Sequence, residues 1–264
     1  LRNDSQYLER FMLEEWIAKR VNNPHVAKAI KPTRQRHYLY LVSEYIEGIS
    51  LHQWMIDNPK PTLETVRAIV EQVAKGLQAF HRQEMIHQDL RPQNVMIDHL
   101  NTAKIIDFGS TYIAGVTDTK KEKSVPGTIR YSAPEYFLGH QGTPCSDLYA
   151  LAVMTYQMLS GSFPYTPDIA QATSVAAQRK LVYKSLIDND SNLPPWIDDT
   201  LRRALQINPL KRYAQLSEFT YDLRHPNKLF LAKTRPPLLQ RDPLMFWQSV
   251  SFIFFAIIVV LLSR

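Results

Sequence analysis

The chain begins with a segment whose hydrophobic positions recur at helical spacing, so residues 4–21 are predicted to form an α-helix that Asp4 or Ser5 can cap. The positions on its apolar face are Leu8, Phe11, Ala18 and Val21. Glu14 falls on the same face. A carboxylate there is costly unless a cation meets it. Glu14 is therefore either a tolerated edge position or one half of an ion pair.

The next segments alternate between strand and helix patterns. Residues 38–46 are rich in β-branched and aromatic side chains, which predicts a strand that ends at Gly48. Thr62 then opens a long helix. Its apolar stripe consists of Val66, Ile69, Val73, Leu77 and Phe80. Short strands are predicted at residues 95–97 and 104–106.

The second half of the chain is predicted to be mostly helical. Residues 109–126 are polar and irregular, whereas residues 147–159 are apolar nearly all round, as in a buried helix. Helical segments continue to about His225. Residues 226–243 hold four prolines and several basic residues, which is typical of a linker.

The last segment is the most apolar part of the chain. Residues 244–262 form a run of 19 residues without a charge. As a helix it would be about 28 Å long, against a hydrocarbon core of about 30 Å. The pattern favours a membrane span, and a buried core helix or a partner-binding tail is the alternative. Four cations precede the run and one follows it, which predicts that its N-terminal side faces the cytoplasm; they are Lys228, Lys233, Arg235, Arg241 and Arg264.

Composition narrows the class of protein only a little. The 264 residues carry a net charge of +6, spread without a long basic run, and no motif supports nucleic-acid binding. Cys145 is the single cysteine, so neither an internal disulfide nor a cysteine metal cluster can form. Because no motif supports nucleic-acid binding, we expect no nucleic acid among the partners.

Three motifs in fixed order carry the chemistry. They are His-Gln-Asp-Leu-Arg-Pro-Gln-Asn at 87–94, Asp-Phe-Gly at 107–109, and Gly-Thr-Ile-Arg-Tyr-Ser-Ala-Pro-Glu at 127–135. Together they resemble the catalytic loop, the magnesium-binding loop and the activation segment of protein kinases. The form of the third motif resembles the serine/threonine type. ATP and Mg²⁺ are the cofactors that this resemblance implies.

The resemblance assigns roles that suit phosphoryl transfer, which depends on positioning and charge neutralisation. Asp89 would accept or orient the proton of the attacking hydroxyl group. Asn94 and Asp107 would bind magnesium, which prefers oxygen ligands. The alternative for any one of these residues taken alone is a loop-capping Asx turn. The ordered set argues against that alternative.

The adenine site and the peptide site are also implied by the resemblance. The segment around residues 42–46 is similar to the hinge. Ser43 would be the gatekeeper, while the Glu44 carbonyl and the Ile46 amide would bind adenine. Met96 would form the floor of the pocket, although composition alone makes it a core residue. Thr128 belongs to the activation segment, which would shape a groove for an extended peptide.

Four further residues match positions of the family, of which Glu14 would belong to the catalytic residues and the other three would have structural roles. Glu14 matches the helix αC glutamate that pairs with the ATP-binding lysine, and Asp147 resembles the aspartate that anchors the catalytic loop. Glu135 and Arg212 resemble the ion pair that braces the lower lobe.

Two positions of the catalytic loop depart from the common pattern. Gln88 replaces an arginine that usually meets an activation-loop phosphate. We therefore expect activity to depend less on phosphorylation of the loop, at Thr117, Thr119 or Ser124. Arg91 replaces the usual lysine and keeps a positive charge near the γ-phosphate, in a different geometry.

The chain has no counterpart of the Gly-rich loop or of the ATP-binding lysine. The chain opens with Leu1 instead of methionine, and it retains Asp89, Asn94 and Asp107. Both observations favour a fragment of a longer active kinase over a natural pseudokinase. The motif details, with the apolar tail, are similar to bacterial tail-anchored kinases that carry a metal-dependent protein phosphatase domain upstream. Such a domain is an expected partner in the full-length protein.

These inferences combine into one prediction. The fold class is α+β, a protein-kinase-like two-lobed fold with an incomplete N-lobe and a mostly α-helical C-lobe, followed by one transmembrane helix. The divisions are the partial N-lobe at 1–46, the C-lobe at 47–225, the linker at 226–243 and the membrane helix at 244–262. The function expected is a membrane-anchored kinase that phosphorylates serine or threonine of cytoplasmic proteins, in bacteria at the inner membrane.

Two other functions stay open at this level. A catalytically dead scaffold tethered to the membrane would keep the fold without transfer. A small-molecule phosphotransferase of kinase-like fold would share the first two motifs, but the segment from Gly127 to Glu135 argues against it.

Overall fold

A computed structural model describes residues 5–34, 37–113, 115–116, 129–166, 169–188, 193–227, 230–231 and 243–262. The chain divides into two compact units, Leu1–His225 and Pro226–Arg264. The predicted Thr128 and the three candidate phosphorylation sites in the activation loop lie outside the described residues, as do the four cations before the apolar run.

The described helices of the first unit are mostly in its second half. They are α1 (Ser5–Arg20), α2 (Leu51–Asp57), α3 (Leu63–His81), α4 (Pro144–Ser160), α5 (Val175–Gln178), α6 (Pro195–Ala204) and α7 (Leu216–Arg224). Short 3₁₀ helices lie at Pro92–Asn94, Pro134–Leu138, Ile169–Gln171 and Pro209–Lys211.

The strands of this unit are short and pair antiparallel. They are β1 (Gly48–Ser50), β2 (Met85–Ile86), β3 (Val95–Asp98), β4 (Ala103–Ile105), β5 (Tyr112–Ile113), β6 (Tyr165–Thr166) and β7 (Val182–Tyr183). One sheet has the order β1-β3-β4, and β2 with β5 and β6 with β7 form two-stranded pairs. The pair β2–β5 holds the two ends of the segment that contains the first two motifs.

Two helices form the centre of the core, as the sequence predicts. The Thr62 side chain accepts a hydrogen bond from the Thr65 amide at the start of α3, and every residue of the predicted stripe is buried. Helix α4 buries residues on all sides, including Tyr149 and Tyr156. These predictions are confirmed, and α3 packs against α4 beneath the catalytic motifs.

Two details of the N-terminal segment differ from the sequence prediction. In α1 the buried residues are Ile17 and Ala18, and Val21 is buried just after the helix ends, whereas Leu8 is exposed, because only the C-terminal half of the helix packs on the core. The prediction of a strand at residues 38–46 is wrong. In that segment the described residues form only an isolated bridge from Ser43 to Ala29, since a strand needs a neighbour along its length.

The second unit contains α8 (Pro243–Leu262), a helix of 20 residues that coincides with the apolar run. Within the ranges that the structure describes, no helix combines the length and the apolar character needed to cross a membrane.

Candidate active site

A buried aspartate fixes the start of the catalytic loop. Asp147, at the N-terminal end of α4, accepts hydrogen bonds from the backbone amides of His87 (2.9 Å) and Gln88 (3.0 Å). The imidazole Nε2 of His81 lies 2.9 Å from the same carboxylate. Burial by itself raises the pKa of Asp147, but the hydrogen bonds from His81 and from the His87 amide, with the charge of His81, outweigh it and lower that pKa. The loop is therefore held by an ionised group inside the core.

The catalytic loop has an unusual backbone that turns Asp89 toward Asn94. Gln88 adopts a φ of +66°, which non-glycine residues rarely do, next to the amides that Asp147 holds. The Asn94 Nδ2 group donates to the Asp89 carbonyl at 2.9 Å and to its carboxylate at 3.2 Å. The two residues predicted to serve transfer and metal binding are thus adjacent, and the orientation of the Asp89 carboxylate is fixed.

The magnesium-binding motif lies directly beside this loop. The Ile106 amide donates to the Asn94 carbonyl at 2.9 Å, which brings Asp107 next to Asn94. Asp107 has a φ of +67°, and its Oδ1 accepts from the Gly109 amide at 3.1 Å. The structure therefore brings Asp89, Asn94 and Asp107 together.

Glu14 reaches this cluster from α1. A Cβ atom at Gly109 would lie 3.4 Å from Asp107 Oδ1 and 3.7 Å from Glu14 Oε2, so both carboxylates border the same small space. Burial, followed by the charge of Asp107, raises the pKa of Glu14. A cation between these carboxylates would remove the repulsion. The partly buried position beside Asp107 shows that Glu14 borders the catalytic cluster, and its pairing with a cation stays a prediction.

Three aromatic rings pack together where the catalytic loop and the magnesium-binding motif meet helix α3. Phe80 of α3 lies edge-on to His87, with centroids 5.5 Å apart, and contacts Phe108 at 5.7 Å. His87 is buried, and desolvation is the main reason that its pKa is lowered. A neutral imidazole in this position joins the two motifs through apolar packing.

The predicted adenine-binding segment contacts residues 28–30 and Lys104 of β4. The Glu44 amide donates to the Lys28 carbonyl at 2.9 Å, next to the Ser43–Ala29 bridge. Its side chain accepts from the Lys28 amide at 2.9 Å and from Lys104 Nζ at 2.7 Å.

Among the described residues, the two backbone groups that are predicted to bind adenine have no backbone hydrogen bond. In the described part of the chain, no backbone hydrogen bond uses the Glu44 carbonyl or the Ile46 amide. Met96 is half-buried in β3, opposite Ser50. A backbone carbonyl and a backbone amide of this kind can form hydrogen bonds with the edge of a planar heterocycle.

Arg91 directs its charge toward the activation segment. It has an extended backbone just before the 3₁₀ turn at Pro92–Asn94. Burial raises the pKa of Tyr131, while a hydrogen bond to Gln157 and the charges of Arg91 and Arg130 oppose the rise. The positive charge of Arg91 therefore acts on the Tyr131 hydroxyl group of the activation segment.

Glu135 and Arg212 form a buried ion pair beneath the activation segment. Two parallel hydrogen bonds of 2.8 and 2.7 Å join the guanidinium and the carboxylate. Arg212 also donates to the carbonyls of Cys145, Gln206 and Ile207. Because Ser146 donates to Glu135 as well, the pair is satisfied on both sides and fixes the Ala-Pro-Glu end of the segment.

Sequence reasoning missed several groups that complete the site. His81 contacts Asp147, and the Tyr131 hydroxyl donates to Gln157 at 2.6 Å. Lys104, the partner of Glu44, comes from β4. No local signal marks these residues, because their partners lie at least 26 positions away in the chain.

The donor set suits a hard cation with phosphate ligands rather than a soft metal. Among the described residues, no group of three or more histidine, cysteine, aspartate or glutamate side chains could hold a metal ion. Asp107 and Asn94 supply two oxygen-bearing side chains, which is the number that magnesium takes when phosphates and waters complete its shell.

The fold and this constellation define a protein kinase. The family model of the protein kinase domain matches residues 2–224, and the chain belongs to that family. The prediction of a eukaryotic-type kinase domain is confirmed.

Among individual relatives, three bacterial proteins show the range of similarity. Serine/threonine-protein kinase PrkC of Bacillus subtilis is 27% identical over 227 residues, covering 84% of this chain and 34% of the relative. PknL of Mycobacterium tuberculosis is 31% identical over 224 residues, covering 83% and 55%. PknA of the same species is 28% identical over 220 residues, covering 80% and 49%. All three are named serine/threonine-protein kinases, and the chain spans between a third and just over half of their lengths.

Proposed function

We propose that this chain is the catalytic part of a protein kinase that transfers the γ-phosphoryl group of ATP to serine or threonine hydroxyl groups of proteins. The observation that carries the proposal is the junction of Asp89, Asn94 and Asp107, held by Asp147 and by the Ile106–Asn94 hydrogen bond. The third motif and the names of the relatives favour serine and threonine over tyrosine.

In this proposal, Asp89 receives the substrate hydroxyl group. Its carboxylate is oriented by a hydrogen bond from the Asn94 side-chain amide. A positioned carboxylate can accept the proton as the oxygen attacks, and it also selects the productive rotamer of the hydroxyl. Arg91 would supply positive charge from the same loop near the transferred γ-phosphoryl group.

Asp107 and Asn94 would hold Mg²⁺, and the segment of Glu44 and Ile46 would hold the adenine of ATP. The bound metal ion neutralises charge on the phosphates during transfer. Glu14 would orient a cation from the side of α1, since its carboxylate borders the same space as Asp107. In the full-length protein we propose that a lysine supplied by residues outside this sequence pairs with Glu14.

The test is transfer from γ-labelled ATP to an acceptor protein by the full-length enzyme, followed by analysis of the labelled amino acids. We expect label on serine or threonine, and a loss of roughly 10²–10⁴-fold in rate for Asp89→Asn. Asp188→Asn, at an exposed position away from the site, is the matched control.

Unlabelled acceptor, or equal labelling by the wild type and by Asp89→Asn, would favour the catalytically inactive scaffold. Label found only on a small molecule would favour the small-molecule phosphotransferase.

We further propose that the apolar run at residues 244–262 attaches the protein to a membrane, with the kinase unit in the cytoplasm. The support is the sequence, in which 19 residues carry no charge and cations precede them. The described helices do not meet the requirement for a span. The proposal therefore rests on the hydropathy and charge pattern of the sequence. An upstream phosphatase domain in the full-length protein is part of the same proposal.

A further inference from the structure

An ion pair joins the predicted adenine-binding segment to the strand that leads to the magnesium-binding motif. Lys104 Nζ, in β4, lies 2.7 Å from Glu44 Oε2. The two side chains are only 20% and 27% exposed, so water screens this pair less than a pair on the open surface. Asp107 follows Lys104 by three residues, and the ion pair therefore lies just before the predicted magnesium ligand.

The Glu44 side chain holds the residue whose carbonyl is predicted to bind adenine. The Glu44 amide donates to the Lys28 carbonyl, and the Glu44 carboxylate accepts from the Lys28 amide, both at 2.9 Å. Burial by itself raises the pKa of Glu44, but the hydrogen bonds from Lys104 and from the Lys28 amide outweigh it and lower that pKa. The carboxylate is therefore ionised at neutral pH. Tyr45, the next residue, is exposed.

The position of Lys104 in the sheet places it beside a second predicted adenine contact. Lys104 lies directly opposite Met96 of β3, and opposed residues of an antiparallel pair project to the same face. The strand is held on its other side, because the Ile105 amide donates to the His25 carbonyl at 2.9 Å. Lys104 thus reaches from a fixed strand, past the predicted floor of the pocket, to Glu44.

We propose that Lys104 is a positioning residue for nucleotide binding, which acts through the Glu44 carboxylate to hold the Glu44 carbonyl and the Ile46 amide where adenine needs them. The proposal rests on the proposed kinase function and adds a residue to its nucleotide site. Without the ammonium group, Glu44 would lose a charged hydrogen-bond partner and could turn toward water. ATP would then have to order the segment as it binds, which lowers affinity.

The experiment uses the full-length enzyme and two probes in the presence of Mg²⁺, a non-hydrolysable ATP analogue and inorganic tripolyphosphate. We expect Lys104→Met to raise the Kd of the analogue and the KM for ATP by about 5-fold, with little change in kcat at saturating ATP. The Kd of tripolyphosphate should stay at the wild-type value, because this probe has no base. Lys104→Arg keeps the positive charge and should recover most of the affinity.

Matched variants separate this role from a general effect of charge or stability. Lys75→Met is the control, since Lys75 is exposed and its charge also acts on His25, whereas the described partners of Glu44 do not include it. It should bind the analogue like the wild type. In the Glu44→Gln background, Lys104→Met should add little, because the ionic partner is already lost.

Urea denaturation of each variant shows whether a change in affinity accompanies a loss of unfolding free energy. If Lys104→Met is recovered unfolded, Lys104→Gln is measured in its place and judged by the same criteria.

The role of Lys104 is contradicted if Lys104→Met binds the analogue like the wild type, or if the analogue and tripolyphosphate lose affinity alike. Losses that multiply in the double variant would also contradict it, because Lys104 would then act independently of Glu44. A wild type that binds the analogue but phosphorylates no protein overturns the proposed kinase function, while the two affinities still decide the role of Lys104. A wild type that does not bind the analogue overturns both.

Discussion

At the scale of single residues, the site depends on charged groups that the fold removes from water. Asp147 stays ionised in the core because two amides and His81 meet it, and its lowered pKa reflects those partners. The roles of Asp89, Asn94 and Asp107 could be expected from their motifs alone. The positive φ of Gln88 and the His81 contact could not, because both follow from packing between distant segments.

His87 gives a pH dependence that can be measured. Its pKa is lowered by burial, so the unfolded chain binds its proton more readily than the folded chain. The stability that this neutral group contributes is present above about pH 6.5, the ordinary pKa of histidine, and is lost as the pH falls below it. His25, whose pKa is also lowered mainly by burial, adds a change of the same sign.

We expect His87→Leu to reduce the loss of unfolding free energy between about pH 7 and about pH 5, by up to about 1.4 kcal/mol per pH unit. Urea denaturation at each pH measures this. His140→Leu, at an exposed position, should keep the wild-type slope. A wild-type slope in His87→Leu would mean that burial does not hold His87 neutral.

At the scale of elements, the long helices were predictable and the short strands were less so. The Thr62 cap and the stripe of α3 follow from local sequence, because a helix organises residues three and four positions apart. A strand depends on a partner from elsewhere in the chain, so the aromatic run at 38–46 indicated a strand that the described structure does not form.

The Glu135–Arg212 pair links two short elements, the 3₁₀ turn at Pro134–Leu138 and the C-terminal end of the 3₁₀ turn at Pro209–Lys211. We expect Arg212→Met to lower the unfolding free energy by about 3–5 kcal/mol, because it leaves Glu135 charged and buried without its partner. Urea denaturation measures the change. Lys211→Met, at the exposed neighbour, should cost little.

Combining Arg212→Met with Glu135→Gln tests whether the loss of unfolding free energy arises because Glu135 is left charged and buried without a partner. The double variant should lose less than the sum of the two single changes. Additive losses would show that the two side chains stabilise the unit independently.

At the scale of the whole molecule, the sequence predicted the family. Ordered motifs determine a family even at low identity, and the model of the protein kinase domain matches residues 2–224. The division of the chain at residue 225 stays a prediction. A cavity of about 320 Å³ beside Arg130 and Lys184 was not predictable, because its described lining comes from four separate segments of the chain.

The attachment to a membrane also belongs to this scale. We expect the full-length protein to sediment with membranes and to need detergent for release, whereas a chain that ends before residue 243 stays in the supernatant. Replacing two central residues, Ile253 and Ile258, by lysine should act like the deletion, because charges at the centre of a span are costly. Ile253→Leu with Ile258→Leu is the control. Retention of the truncated chain on membranes would contradict the proposal.

The most direct test of the account compares Asp89→Asn with Asp107→Asn in the full-length protein, by measuring Mg²⁺-dependent ATP binding and single-turnover transfer on the same samples. The account predicts that Asp89→Asn binds ATP with Mg²⁺ like the wild type but transfers poorly. Asp107→Asn should lose the gain in ATP affinity that Mg²⁺ gives, because the metal loses its carboxylate ligand. Wild-type transfer by Asp89→Asn, or an unchanged effect of Mg²⁺ on binding in Asp107→Asn, would contradict the assignment of this site.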